Sequence, residues 1–144
     1  MKWIKTIKRV GLYVLVVLAL GGLGRIVYIS FIESDEHKAR RFVQKSELGK
    51  AIINPIIQNY TNSERYEDWS CSKLAKDIFL VGYFAVIEKD TEQKTIDSYW
   101  IYNRANNSVE PVKKEGSLKD KINEMKESFI HKYQWVKKRL KKLK

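Results

Sequence analysis

The sequence predicts an α+β protein: an N-terminal transmembrane helix, then a helix, a three- or four-stranded antiparallel meander and a long basic amphipathic C-terminal helix. Three observations carry this reading. An apolar run fills residues 10 to 32, β-branched and aromatic segments alternate with polar turn residues in the middle, and apolar residues recur every three or four positions from Leu118 to Leu143. The 144 residues therefore divide into a basic tail (1–9), an anchor (10–32), a small α+β domain (33–116) and a basic amphipathic helix (117–144). The roughly 110 residues outside the anchor suffice for one compact core.

A formal net charge of +11 invites a nucleic-acid partner, and its distribution argues against one. Residues 1–32 carry five bases and no acid, residues 33–116 carry 13 bases and 14 acids, and residues 117–144 carry ten bases and three acids. The charge belongs to the two ends. The neutral middle supplies no basic groove with stacking aromatics, so nucleic acid is not expected.

The anchor runs from Val10 through Leu15 and Leu20 to Gly24, and after Arg25 the apolar run resumes to Ile32. Twenty-three residues at about 1.5 Å each give roughly 35 Å, enough to cross a hydrocarbon core of about 30 Å. A cleaved signal peptide competes, because a basic start, an apolar core and small residues at Gly22 and Gly24 meet part of its pattern. The lack of Ala-x-Ala, the basic Arg25 and the second apolar stretch favour an uncleaved signal-anchor. Arg25 lies in the far third of the span, where it can snorkel beside Tyr28 to the headgroups or meet a partner helix. Four bases precede the span, and Glu33, Asp35 and Glu36 follow it before the first base. The expectation is a single-pass protein of a bacterial or organellar inner membrane, with its N-terminus inside and its domain extracytoplasmic. Lys38, Arg40, Arg41, Lys45 and Lys50 soften that asymmetry.

Ser34 is the expected N-cap of a helix from Asp35, with Asp35 and Glu36 against its positive end and Ala39, Phe42 and Val43 on one face. A shorter helical turn from Ser46 is expected to stop near Ile53, because Asn54 precedes Pro55, with extended structure from Ile56. Tyr60 to Ser72 reads as a connecting loop or irregular strand within which Trp69 packs. Ile78 to Ile87 is apolar at both alternating sets of positions, as in a strand covered on both faces. Lys89 to Lys94 forms a polar hairpin connection into Thr95–Tyr102, and Asn106-Asn107 turns the chain into Val109–Val112, which Pro111 places at an edge.

From Ser117, with Asp120 completing a short capping box, the apolar stripe Leu118, Ile122, Met125, Phe129, Tyr133, Val136, Leu140 and Leu143 predicts about seven turns of helix. Its end carries Trp135, Lys137, Lys138, Arg139, Lys141, Lys142 and Lys144, the candidate contacts for membrane lipid or a protein partner. A solvated helix face that complements the helix dipole is the plainer account of the same charge.

No catalytic constellation is visible. His37, His131 and Cys71 are the only residues of their types, and the chain lacks Gly-x-Gly-x-x-Gly, Walker, Cys-x-x-Cys and His-Glu-x-x-His patterns. Neither an enzymatic role nor a cofactor or metal site is expected. Cys71, being alone, excludes an intramolecular disulfide.

The order of an anchor, a helix reading Ser34-Asp-Glu-His-Lys-Ala39-Arg-Arg-Phe42-Val43, Leu48-Gly49, Pro55-Ile56 and a β-meander resembles the cytochrome oxidase assembly factor one family, itself similar to the soluble domain of an inner-membrane translocase subunit. The resemblance covers about residues 10 to 112. It implies a noncatalytic membrane-tethered module that contacts other membrane proteins during assembly. The basic C-terminal helix and the polar Tyr60 to Ser72 stretch depart from that pattern. A lipid-surface binding module and a secretion-system inner-membrane component are the alternatives.

Overall fold

Ile78–Lys89, the second strand, pairs along its length with a neighbour on each side, and it is the element around which the domain is built. The computed structural model describes residues 13–23, 25, 34–60 and 63–143, and the chain divides into two compact units, Met1–Ser34 and Asp35–Lys144. In the first unit, residues 13–23 and residue 25 are helical, and Leu15 and Leu20 are 67% and 63% exposed. Arg25 is exposed as well; Val10 and Ile32 lie outside the described residues. No helix among the described residues is long and apolar enough to cross a membrane.

The second unit is α+β. Helices α1 (Asp35–Lys45) and α2 (Glu47–Asn59) are followed by strands β1 (Glu64–Ala75), β2 (Ile78–Lys89), β3 (Glu92–Asn103) and β4 (Ser108–Pro111), then by helix α3 (Lys119–Leu143). The strands lie in sequence order as a four-stranded antiparallel meander. Because side chains alternate across a strand, β2 sends Phe79, Val81, Tyr83, Ala85 and Ile87 to one face, where they meet Ala39, Val43 and Ile56 of α1 and α2. Leu80, Phe84 and Val86 go to the other face and meet Ile122, Met125 and Phe129 of α3. All of these side chains are buried. Two cores, one per face, explain why β2 has no polar side.

Close approach sets two glycines. A Cβ on Gly82 would meet Met125 Sδ and stand 3.1 Å from the Tyr99 ring, so α3 rests on the bare backbone of β2. A Cβ on Gly49 would run into the Val43 carbonyl at the α1–α2 junction, where Ser46 caps α2 by accepting from Gly49 N at 3.1 Å. The cap fixes the angle between these helices.

Four expectations are corrected. Helix α2 does not stop at Ile53; it continues through Pro55 to Asn59. An interior proline costs a helix about 3 kcal/mol, and here both Pro55 and Ala51, whose carbonyl loses its bond, are exposed while Ile56 is buried against the sheet. Packing outweighs propensity. Most of the stretch expected as a connecting loop or irregular strand belongs to β1, a twelve-residue strand in unbroken register from Glu64 to Lys73, whose Trp69 and Cys71 pack on one core and Tyr66 and Leu74 on the other. Its polar residues hide that alternation because they serve the rim: Tyr83 Oη donates to Glu67 at 2.7 Å and Lys132 Nζ lies 3.2 Å from Asp68. The β2–β3 connection shrinks to Asp90-Thr91, with Asp90 in the left-handed region at φ 57°. Helix α3 begins at Lys119, two residues after the expected Ser117 cap, with Lys119 N bonded to Gly116 O and Ile122 N to Leu118 O.

The sheet's two ends are held differently. At one end Arg104, in the β3–β4 turn, bonds Asp77 of the β1–β2 turn and Asp35 at the start of α1, each at 2.8 Å, so the chain enters the domain there. Trp100 stacks on Trp69 at 5.7 Å and Phe42 on Tyr102 at 4.6 Å along the same face. On the opposite face Asp97 holds Lys114 at 2.6 Å and faces Lys126 at 3.7 Å, fastening the loop before α3 to β3. Replacing Gly82 with alanine overpacks the α3 face and is expected to cost about 1–3 kcal/mol. Urea unfolding checks this: the midpoint falls while the slope stays constant.

Candidate interaction surface

Helix α3 is amphipathic along all 25 of its residues, yet its buried residues stop at Phe129 and its last turns are exposed. Met125 sits over Gly82, Phe129 stacks on Phe84 at 5.4 Å, and Tyr133 meets Tyr66 at 5.3 Å. The last tether is Glu88 near the end of β2, whose carboxylate accepts from Tyr133 Oη at 2.7 Å and from Lys137 Nζ at 2.8 Å. The Lys137 hydrogen bond, followed by that of Tyr133, holds the Glu88 carboxyl below its usual range. The same bond to Glu88 raises Lys137 above the ordinary ammonium value.

Beyond Lys137 the helix continues without the sheet. Six further residues add about 9 Å. At 100° per residue, Val136, Leu140 and Leu143 prolong the stripe that Ile122, Met125 and Phe129 bury, but Leu140 and Leu143 are 57% and 83% exposed. Trp135, 54% exposed, occupies a different side of the helix, with the Arg139 guanidinium 4.2 Å over its ring. Lys138 and Lys142 follow Trp135 at helical spacing and are exposed, as is Lys141. Lys144 lies outside the described residues. The overhang remains helical because Lys, Arg and Leu are good helix formers and the cations suit the negative end of the dipole.

The overhang and the point where the chain enters the domain lie at opposite ends of the sheet. Asp35 is tied beside Ile78 at the start of β2, and Lys137 is tied to Glu88 near its end. Ten residue steps at about 3.3 Å separate these ends by roughly 33 Å. Next to Glu88, Gln58, Asn59, Ser63, Glu64, Lys89 and Asp90 line an open cleft of about 760 Å³, so acidic groups border the basic overhang.

The other residues singled out by type do not converge on a site. His37 Nε2 lies 2.7 Å from the Arg40 guanidinium on exposed helix surface, and His131 is exposed on α3. Cys71 is half-buried under α1; burial, reinforced by Glu36 and opposed by Arg40, pushes its thiol up to about 12. No group of three or more His, Cys, Asp or Glu side chains suited to a metal ion occurs among the described residues. Sequence reasoning found the overhang's cations and Trp135. It missed Glu88 and read Tyr133 only as part of the apolar stripe, although their contact marks where the packed helix ends and the free one begins, because pairings across 45 and 49 residues leave no local pattern.

No protein-family model, curated protein or solved structure shows a significant match to the chain.

Two outcomes follow from this geometry. Cys71 in the folded chain should react far more slowly with a thiol reagent at pH 8 than in the urea-unfolded chain, since only the thiolate attacks; equal rates in the two states would contradict the burial. Glu88 has a lowered folded-state value, so its stabilisation is complete above the unfolded value of about 4.5 and disappears as pH falls through the folded one. Thermal unfolding of Glu88→Gln should therefore show a lower midpoint than wild type at neutral pH, with the difference vanishing in acid.

Proposed function

We propose that the chain is a noncatalytic, membrane-tethered interaction or assembly module that uses the overhanging end of α3 to hold an acidic surface of a membrane protein complex. The observation that supports this most is the exposed pairing of Leu140 and Leu143 with the Trp135, Lys138, Arg139, Lys141 and Lys142 surface, on a helix whose earlier turns are firmly packed. A rigid base with a free cationic and apolar tip suits recognition: the apolar stripe supplies area and the cations supply orientation and encounter rate. In this reading residues 10–32, Arg25 among them, are the signal-anchor in a bacterial or organellar inner membrane, with the N-terminus inside and the domain extracytoplasmic. The β-meander behind its helices agrees with the proposed kinship to the cytochrome oxidase assembly factor one family.

The Trp135–Arg139 pair at 4.2 Å also suits an anionic lipid surface, which is the second reading. Separation of the overhang from Asp35 by the length of the sheet favours the protein partner, because it carries the tip away from where a tether joins the domain. A secretion-system inner-membrane component is a narrower version of the same interaction role.

Changing Lys138, Arg139, Lys141 and Lys142 together to glutamate in the full chain should reduce recovery of its membrane-protein partners from crosslinked native membranes more than tenfold and leave the thermal midpoint nearly unchanged. Undiminished partner recovery, with loss only of binding to vesicles containing anionic lipid, would replace the protein reading with the lipid one.

A further inference from the structure

The two edges of the sheet are treated differently. Strand β4 is four residues long and ends in Pro111, both features that blunt an edge. Strand β1 runs twelve residues from Glu64 to Ala75 without proline, and its only irregularity is a bulge between Lys73 and Ala75. A long unblunted edge is a template for another strand.

The direction of its free groups follows from the ladder. Val112 N donates to Tyr99 O at 2.9 Å, so odd-numbered residues of β3 turn their backbone groups toward β4 and even-numbered ones toward β2. Carried through the registers Trp100↔Val81 and Ser70↔Gly82, the alternation leaves Arg65, Glu67, Trp69, Cys71 and Lys73 of β1 with N–H and C=O facing outward. Among the described residues none of these has a backbone partner, and Trp69 N alone is occupied, by the Asp68 carboxylate at 2.8 Å.

We infer that β1 pairs antiparallel with β1 of a second copy of this chain, about a two-fold axis through Ser70, joining two meanders into one eight-stranded sheet. That register places Glu67 opposite Lys73 twice and Tyr66 opposite Leu74 twice, with Trp69 opposite Cys71. Lys73 is exposed and has no ion-pair partner among the described residues. Moving the axis one residue, to Trp69, would set Arg65 against Lys73, and moving it to Asp68 would set that carboxylate against its own copy, so charge selects Ser70. Every pair matches odd with odd or even with even, which keeps both copies' helical layers on the same sides of the joined sheet. Asp68 releases Trp69 N on pairing and keeps Lys132.

Ser70 would face its own copy at a non-hydrogen-bonded position, where Cα atoms stand about 4.5 Å apart, inside the range of about 4.4–6.8 Å that a disulfide spans. The full chain carrying Ser70→Cys and Cys71→Ser, oxidised in its native membranes, should give a disulfide-linked dimer. Ser72→Cys with Cys71→Ser should not, because the two copies of that position are offset by four residues, roughly 13 Å. Adding Lys73→Glu to the Ser70→Cys chain should cut dimer yield severalfold. The wild-type chain in detergent, weighed by light scattering, should have the mass of two copies, a readout independent of any substitution. A monomeric wild-type mass, or equal crosslinking at positions 70 and 72, would overturn the proposal.

Discussion

The side chains of β2 point alternately at two helical layers, and neither layer alone covers the strand. With Phe79, Val81, Tyr83, Ala85 and Ile87 on one face and Leu80, Phe84 and Val86 on the other, all buried, an uncovered face would leave three or four large apolar side chains in water. Full burial of each is worth about 1.5–3 kcal/mol. A β-meander with one wet face is thereby excluded. The chain must return a helix to the second face after the last strand, and α3 is that helix. Gly82 lets it approach closely enough to place Met125 on the strand backbone.

The length of α3 then has a consequence. Covering the second core needs its residues only through Tyr133 and the Glu88 tether at Lys137, yet the helix and its apolar stripe go on to Leu143. Surplus amphipathic helix is stable here because its base is clamped and its end carries the cations the dipole favours. Position matters as much as chemistry: Arg104 ties the start of the domain at one end of the sheet while Glu88 ties the base of the overhang at the other. The overhang therefore starts at the end of the strand axis opposite the one where the chain enters the domain.

Elements with an unbroken physical signature were legible in the sequence. Ile78 to Ile87 reads as a doubly covered strand because its apolar run is continuous, and α3 reads as a helix because its period holds over 25 residues. Trp69 was correctly expected to pack. Legibility failed where tertiary contact overrides local preference, as at Pro55, where buried Ile56 holds the helix together, and along β1, where polar rim residues interrupt the alternation. The cationic tip was visible as composition. Its boundary was not, because the contact of Lys137 with Glu88 joins residues far apart in the chain. The ends of the apolar segment, Val10 and Ile32, lie outside the described residues, so the anchor stands on its sequence pattern.

The central claim is that α3 is one helix in two physical states, packed through Tyr133 and free beyond Lys137. Amide hydrogen exchange on the full chain in nonionic detergent measures this directly. Amides from Ile122 to Tyr133 should exchange slowly, near the rate set by global unfolding, and those from Lys138 to Leu143 should exchange fast, with the step at the Glu88 tether. Uniform slow exchange through Leu143 in the isolated chain would show that the overhang is already covered, and would contradict the account.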